Sequence, residues 1–168
     1  LTQKEMVRLA ESITGVSTID ENQLDPEFLT SIEDIRQMAG IPLKFPTKLP
    51  EGMNFTYGQV LIEETIRKVI LNYSNDNQNI TLRLINGSYE TLAAALKRNP
   101  DAYRQTTIHN QSALISQGYW NENVWVDLPN GGDGNASVIW IEDEVMYSIS
   151  GFNAYPSQVW IEIAESIK

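Results

Sequence analysis

The sequence contains no cysteine, a single histidine, and only 12 Lys and Arg against 22 Asp and Glu. Each shortage removes a class of chemistry. Without cysteine there is no disulfide, no thiolate metal site and no cysteine nucleophile. His109 is the sole histidine, and neither a His-based metal cluster nor a catalytic triad can be assembled around it without companions of the right type. A lone histidine at a strand end reads as a structural or solvated polar residue. The formal charge of -10 argues against nucleic acid. A phosphate-binding surface needs clustered Lys and Arg, and the nearest approaches are Arg67-Lys68 and Lys97-Arg98. The same charge disfavours anionic membrane surfaces and leaves cations or basic partners open. No apolar run approaches the length needed to span a bilayer, so membrane attachment is expected only through an anchor upstream of Leu1.

What is present suits one globular domain with an appendage: 168 residues, 42% of them hydrophobic. The first 40 residues have helical spacing. Thr2 and Glu5 form a capping-box pattern ahead of Met6, Leu9, Ala10 and Ile13, and Gly15 stops that helix. A second helix is predicted from Asp25-Pro26 to Gly40, with Phe28, Leu29, Ile32, Ile35 and Met38 as its apolar positions. The proline-rich stretch 41–52 can be neither helix nor central strand. It is predicted to be an extended connector laying Leu43, Phe45 and Leu49 along the main body. The domain reading is therefore an N-terminal helical arm and connector over 1–44 and an α+β domain over 45–168.

Beyond the connector the period becomes two. Strands are predicted over 54–63, with Gly58 as a possible bulge position, over 65–74, and again where Ile80, Leu82 and Leu84 alternate with Thr81, Arg83 and Ile85. Ser88 is predicted to cap a short helix buried through Tyr89, Leu92, Ala93 and Leu96, which Asn99-Pro100 stops. Strands follow near 103–109 and 112–118, separated by Asn110-Gln111. A glycine-tipped excursion over 119–135 comes next, with room for an edge strand at 123–128. A hairpin over 136–151 turns at Glu142-Asp143-Glu144, and Pro156 opens a last helix through Val159, Trp160, Ile163, Ala164 and Ile167. The fold class is α+β: an antiparallel sheet of about six or seven strands with helices packed mainly on one face, plus the N-terminal helical arm.

Three features of this order carry a resemblance. The entry Pro46-Thr47-Lys48-Leu49-Pro50-Glu51-Gly52 precedes a strand meander. A Trp strand, an acidic turn and a Tyr strand follow over 138–151, and the chain closes on Ile163-Ala164-Glu165-Ser166-Ile167. Over residues 45–168 the pattern resembles an uncharacterised bacterial domain family, mainly of Gram-positive organisms. That family occurs on the extracytoplasmic side of anti-sigma-factor-like membrane proteins and in lipoproteins. The resemblance implies an extracytoplasmic, membrane-anchored setting and brings no catalytic residues with it. The long 119–135 excursion departs from the family's short connection before the Trp strand.

Candidate sites concentrate in that excursion. Tyr119, Trp120 and Trp125 are predicted in a loop, where aromatic side chains can stack on sugars or anchor a protein partner; alternatively they fold back as a lid over the sheet. Asp127, Asn130, Asp133 and Asn135 place oxygen ligands along a glycine-rich loop, as hard cations prefer, although the spacing is not that of an EF-hand and a plain turn explains it as well. The Gly131-Gly132-Asp133-Gly134 run is no phosphate loop, and no cofactor is expected. Glu63-Glu64 and Glu142-Asp143-Glu144 read as solvated turns rather than catalytic carboxylates. The sequence therefore points to a non-enzymatic extracytoplasmic sensory or protein-interaction domain, with an unknown protein or small molecule as partner. The alternatives are a carrier holding a lipid or glycan between sheet and helices, and, less favoured, a hydrolase using Glu142 or Glu144.

Overall fold

A computed structural model describes residues 28–87, 91–122, 124–152 and 154–168. The elements in chain order are α1 Ile32–Ala39, β1 Asn54–Glu63, β2 Ile66–Ser74, β3 Asn79–Asn86, α2 Leu92–Arg98, β4 Arg104–Ile108, β5 Gln111–Asn121, β6 Val124–Asp127, β7 Asn135–Glu142, β8 Val145–Phe152 and α3 Ser157–Glu165. The predicted helix at Thr2–Ile13, the Asp25-Pro26 helix start, and the Ser88 cap with Tyr89 lie outside the described residues.

The strands form one antiparallel sheet of eight, ordered β1-β2-β3-β8-β7-β5-β4, with β6 on β5 to one side of that path. The expected count of six or seven was low because the extra strand sits inside the excursion. Period-two alternation gives the sheet one apolar face. Val69, Leu71 and Tyr73 on β2 lie beside Ile80, Leu82 and Leu84 on β3, and next come Tyr147 and Ile149 on β8 and Val138 and Trp140 on β7. Such in-register rows of branched and aromatic side chains are what stabilise neighbouring strands. Trp140 and Tyr147 are a register pair with stacked rings 5.1 Å apart.

α3 covers this face. Pro156 precedes it, as predicted, and Trp160, Ile163, Ala164 and the following Ile167 are buried. α1 covers the same face at the far edge, and Ile35 and Ala39 join the common core with Leu29. α2 lies across the sheet from them, against β5 and β7, beside the buried Leu114. Two of the three described helices thus share one face.

Several local predictions shift. Residues 28–31 of the predicted second helix are not helical; the described helix starts at Ile32, where the Ser31 hydroxyl accepts from the Asp34 N–H at 3.4 Å, and Gly40, at φ 60°, ends it. Leu29 is extended instead. It exchanges two backbone hydrogen bonds with Gly58, of 2.9 and 2.7 Å, and covers part of the outer edge of β1. The free edge of β1 competes successfully with the helical pattern because it satisfies backbone groups and buries the Leu29 side chain. The bulge in β1 falls between Phe55 and Tyr57, not at Gly58. Gly58 serves a close approach, since a Cβ there would lie 2.4 Å from Ile35 Cδ1. α2 is capped by Thr91, whose hydroxyl accepts from Ala94 N–H at 3.2 Å. Of its predicted stripe Leu92 and Leu96 are half-buried and Ala93 is exposed, while Ala95 is the residue fully buried.

The tight turns are chemically consistent. His109-Asn110 joins β4 to β5 and Asp143-Glu144 joins β7 to β8, and all four residues have φ between 49° and 63°. Two-residue hairpins need such left-handed pairs to match the strand twist. The first turn therefore starts one residue earlier than predicted, and Gln111 belongs to β5.

Candidate functional site

The 119–135 excursion is not a loop at its start. β5 continues unbroken to Asn121, and Val124–Asp127 returns beside it as β6. Val-Trp-Val is strongly β-favouring, and Glu122, at φ 55°, leaves β5 in the left-handed conformation. Trp120 and Trp125 are directly paired across the two strands, with ring centroids 5.4 Å apart and edge to face. The Trp125 indole N–H donates to Asp127 Oδ1 at 2.7 Å, which fixes its ring. Gly118 makes room: a Cβ there would lie 1.9 Å from the Val126 carbonyl oxygen and 3.0 Å from the Trp125 ring, and its φ is 153°.

Tyr119 and Trp120 were expected in a loop and are found on a strand, yet they stay in solvent. Trp120 is 50% exposed, Tyr119 40% and Val124 66%. Trp125 is half-buried. Phe152, also 50% exposed, closes β8 at the same end of the sheet, where Asn135 is register partner to both Phe152 and Gly118. The other large exposed hydrophobics among the described residues, Phe28, Met38 and Ile62, belong to α1, its approach and β1. Because Trp120 and Trp125 are a cross-strand pair and Tyr119 faces Val126 in the next register position, both faces of the hairpin carry apolar groups.

The loop after β6 is tied down. Leu128 N–H donates to the Gln117 carbonyl at 2.9 Å, and Ser157 N–H donates to the Pro129 carbonyl at 2.8 Å. Gln117, fully buried, donates from Nε2 to the Tyr155 carbonyl at 3.1 Å and accepts from the Ser157 hydroxyl. This buried amide was not singled out from sequence. Its signal was an inward position on the alternation Ala113, Ile115, Gln117. Of the four candidate cation ligands, Asp127 is engaged by Trp125, Asn130 and Asp133 are exposed, and Asn135 opens β7. Among the described residues no group of three or more His, Asp and Glu side chains lies close enough to hold a metal ion.

At the opposite end of the same strands lies a second cluster that the sequence did not reveal. His109 Nδ1 is 2.9 Å from Glu142 Oε2, and its Nε2 is 3.0 Å from the Glu165 backbone carbonyl. Glu165 Oε1 accepts from the His109 backbone N–H at 2.9 Å, and Lys44 donates to Glu142 Oε1 at 2.9 Å. Both ring nitrogens thus face acceptors, a geometry fully satisfied only by the doubly protonated imidazolium. Burial lowers the His109 pKa, but the bonds and charges of Glu142 and Glu165 outweigh it and the net direction is upward. Burial likewise opposes ionisation of Glu142, and His109 and Lys44 outweigh it in turn, holding the carboxyl below its ordinary value. The cluster ties together the β4–β5 turn, the end of β7, the connector and the end of α3. The connector is further bonded to the tail, Phe45 N–H to the Lys168 carbonyl at 3.0 Å and Lys168 N–H to the Phe45 carbonyl at 3.2 Å.

Residues 45–167 match the model of a family described as a domain of unknown function, DUF4367, and the chain belongs to that family. No curated protein matches the chain.

Proposed function

We propose that this DUF4367 domain is a non-enzymatic recognition module, the extracytoplasmic sensory or interaction part of a membrane-tethered protein, and that the β5–β6 hairpin is its contact element. The observation that carries the reading is the exposure of Trp120, Tyr119 and Val124 on a projecting two-strand hairpin whose shape is fixed by Gly118 and the Trp125–Asp127 bond. Large aromatics held rigid in solvent offer contact area at low entropic cost. The extracytoplasmic and tethered setting rests on the resemblance of residues 45–168 to domains found there.

Two structural features favour this over the other readings. The space between sheet and α3 is filled by Trp140, Tyr147 and Trp160, each 2% exposed or less, which weighs against a lipid or glycan carried there. Glu142 has both carboxylate oxygens bonded and is held ionised, the reverse of what a general acid needs. A photo-crosslinking residue placed at Trp120 or Val124 of the full-length protein in its own cell envelope tests the proposal. Discrete adducts are expected from these positions and not from the exposed turn residue Asp76. Equal labelling at all three would overturn it.

A further inference from the structure

Resting on the hairpin as contact element, we infer that its partner is a basic polypeptide segment that binds in extended form along the free edge of β6. The argument starts from how the sheet treats its edges. Natural sheets guard exposed edges with charge, proline or a covering segment, because unpaired N–H and C=O groups accept another strand. The β1 edge is partly covered by Leu29, and β4 carries the polar side chains of Arg104, Gln105, Thr106 and Thr107. β6 has no covering segment among the described residues, and its one charged residue is the acidic Asp127 at its end, which disfavours an acidic strand but not a basic one. Among the described residues it pairs with β5 alone, and its sequence Val124-Trp125-Val126 is strand-favouring, with no lysine or proline. An added strand would gain main-chain hydrogen bonds and, by period two, meet Trp125 with Trp120 on one face and Val124 and Val126 with Tyr119 on the other.

The charge of the partner follows from the surrounding chain. In or beside the hairpin stand Glu122, Asp127 and Asp133, and no Lys or Arg occurs after Arg104, which is engaged with the Ser157 hydroxyl at 3.5 Å, until Lys168. Glu122, Asp127 and Asp133 are exposed around the hairpin. A second copy of the chain would bring the same acidic field against itself. A Lys- or Arg-bearing strand would be drawn in by that field and could place its cations over the exposed Trp120 and Tyr119 rings.

The test uses three synthetic peptides of equal length on the intact protein, followed by titration calorimetry and backbone amide exchange. The first alternates lysine with valine and tyrosine, the second has glutamate for every lysine, and the third carries the lysine sequence with proline at alternate positions. The lysine peptide is expected to bind, to weaken with added salt, and to protect the amides of Trp125 and Asp127. The other two should bind at least about tenfold more weakly. Val124→Lys, a change at an exposed position, supplies the missing edge guard and should weaken the lysine peptide at least about tenfold, and Trp120→Ala should weaken it about three- to thirtyfold. No binding, equal binding of the glutamate or proline peptide, indifference to Val124→Lys, or a dimer that Val124→Lys dissolves would each overturn the inference. So would hairpin-dependent binding of anionic vesicles or an N-acetylglucosamine oligosaccharide in place of the lysine peptide, although hairpin recognition would then survive. If crosslinks at Trp120 are also no stronger than at Asp76, recognition by the hairpin falls as well.

Discussion

The two ends of β5, β7 and β8 differ in how they meet solvent. At one end, two left-handed hairpin turns, the connector and the end of α3 are joined through Glu142, His109 and Lys44, every polar contact of the cluster being with another part of the chain. At the other, the strands run past α3 into a hairpin that leaves Tyr119, Trp120, Val124 and Phe152 in water. The first end is built from ion pairs between distant segments and is closed. The second is built from local pairing and is open, which separates the part that holds the domain together from the part free to bind.

Four experiments would break or sharpen that contrast. The largest effect is expected from Glu142→Ala. It leaves the half-buried His109 and Lys44 facing each other without their shared anion and should cost about 1.5–3 kcal/mol, measured by urea unfolding. Next, Gly118→Ala forces a Cβ against the Val126 carbonyl at a φ of 153°. It should cost about 1–3 kcal/mol, with faster amide exchange confined to the hairpin and the His109 cluster unchanged.

A third test uses pH. The depressed Glu142 pKa contributes stability that is complete above its ordinary value of 4.5 and lost as pH falls through the folded value. The raised His109 pKa contributes stability that is complete below 6.5 and lost as pH rises through its folded value. Thermal midpoints should therefore peak between pH 4.5 and 6.5. His109→Gln should flatten the basic limb and shrink the acid limb without removing it, because Lys44 still holds Glu142; an unchanged basic limb would remove the histidine from this role. The smallest stability effect is expected from Trp120→Ala, under about 1 kcal/mol because the ring is half in solvent and loses chiefly its contact with Trp125. The same substitution should weaken the hairpin crosslinks of the full-length protein at Val124.

Much of the sheet was legible because its signals are local. Val69, Leu71 and Tyr73 alternate with Lys68, Ile70 and Asn72, and acidic or asparagine pairs mark the turns. β6 was seen only faintly. Tyr119-Trp120 is flanked by Gly118 and by Asn121-Glu122, which read as turn chemistry, and apolar side chains on both faces of the hairpin hide the alternation that announces a strand. The helical pattern over 28–31 gave way to an extended segment because the edge of β1 offered Leu29 a tertiary alternative. His109 reads from sequence as a structural or solvated polar residue, and nothing near it in sequence says which. Its partners are 33 and 56 residues away, and Lys44 reaches Glu142 across 98.

By itself the sequence determined the absence of thiol chemistry, the acidic balance, the antiparallel alternation and the closing helix, because composition, period and turn chemistry are properties of residues and their near neighbours. Only the tertiary structure decided that Trp120 stands in solvent while Trp140 is sealed, and that His109 is clasped rather than solvated. Exposure and ionisation depend on what the fold brings alongside, and strand register and long-range packing set that.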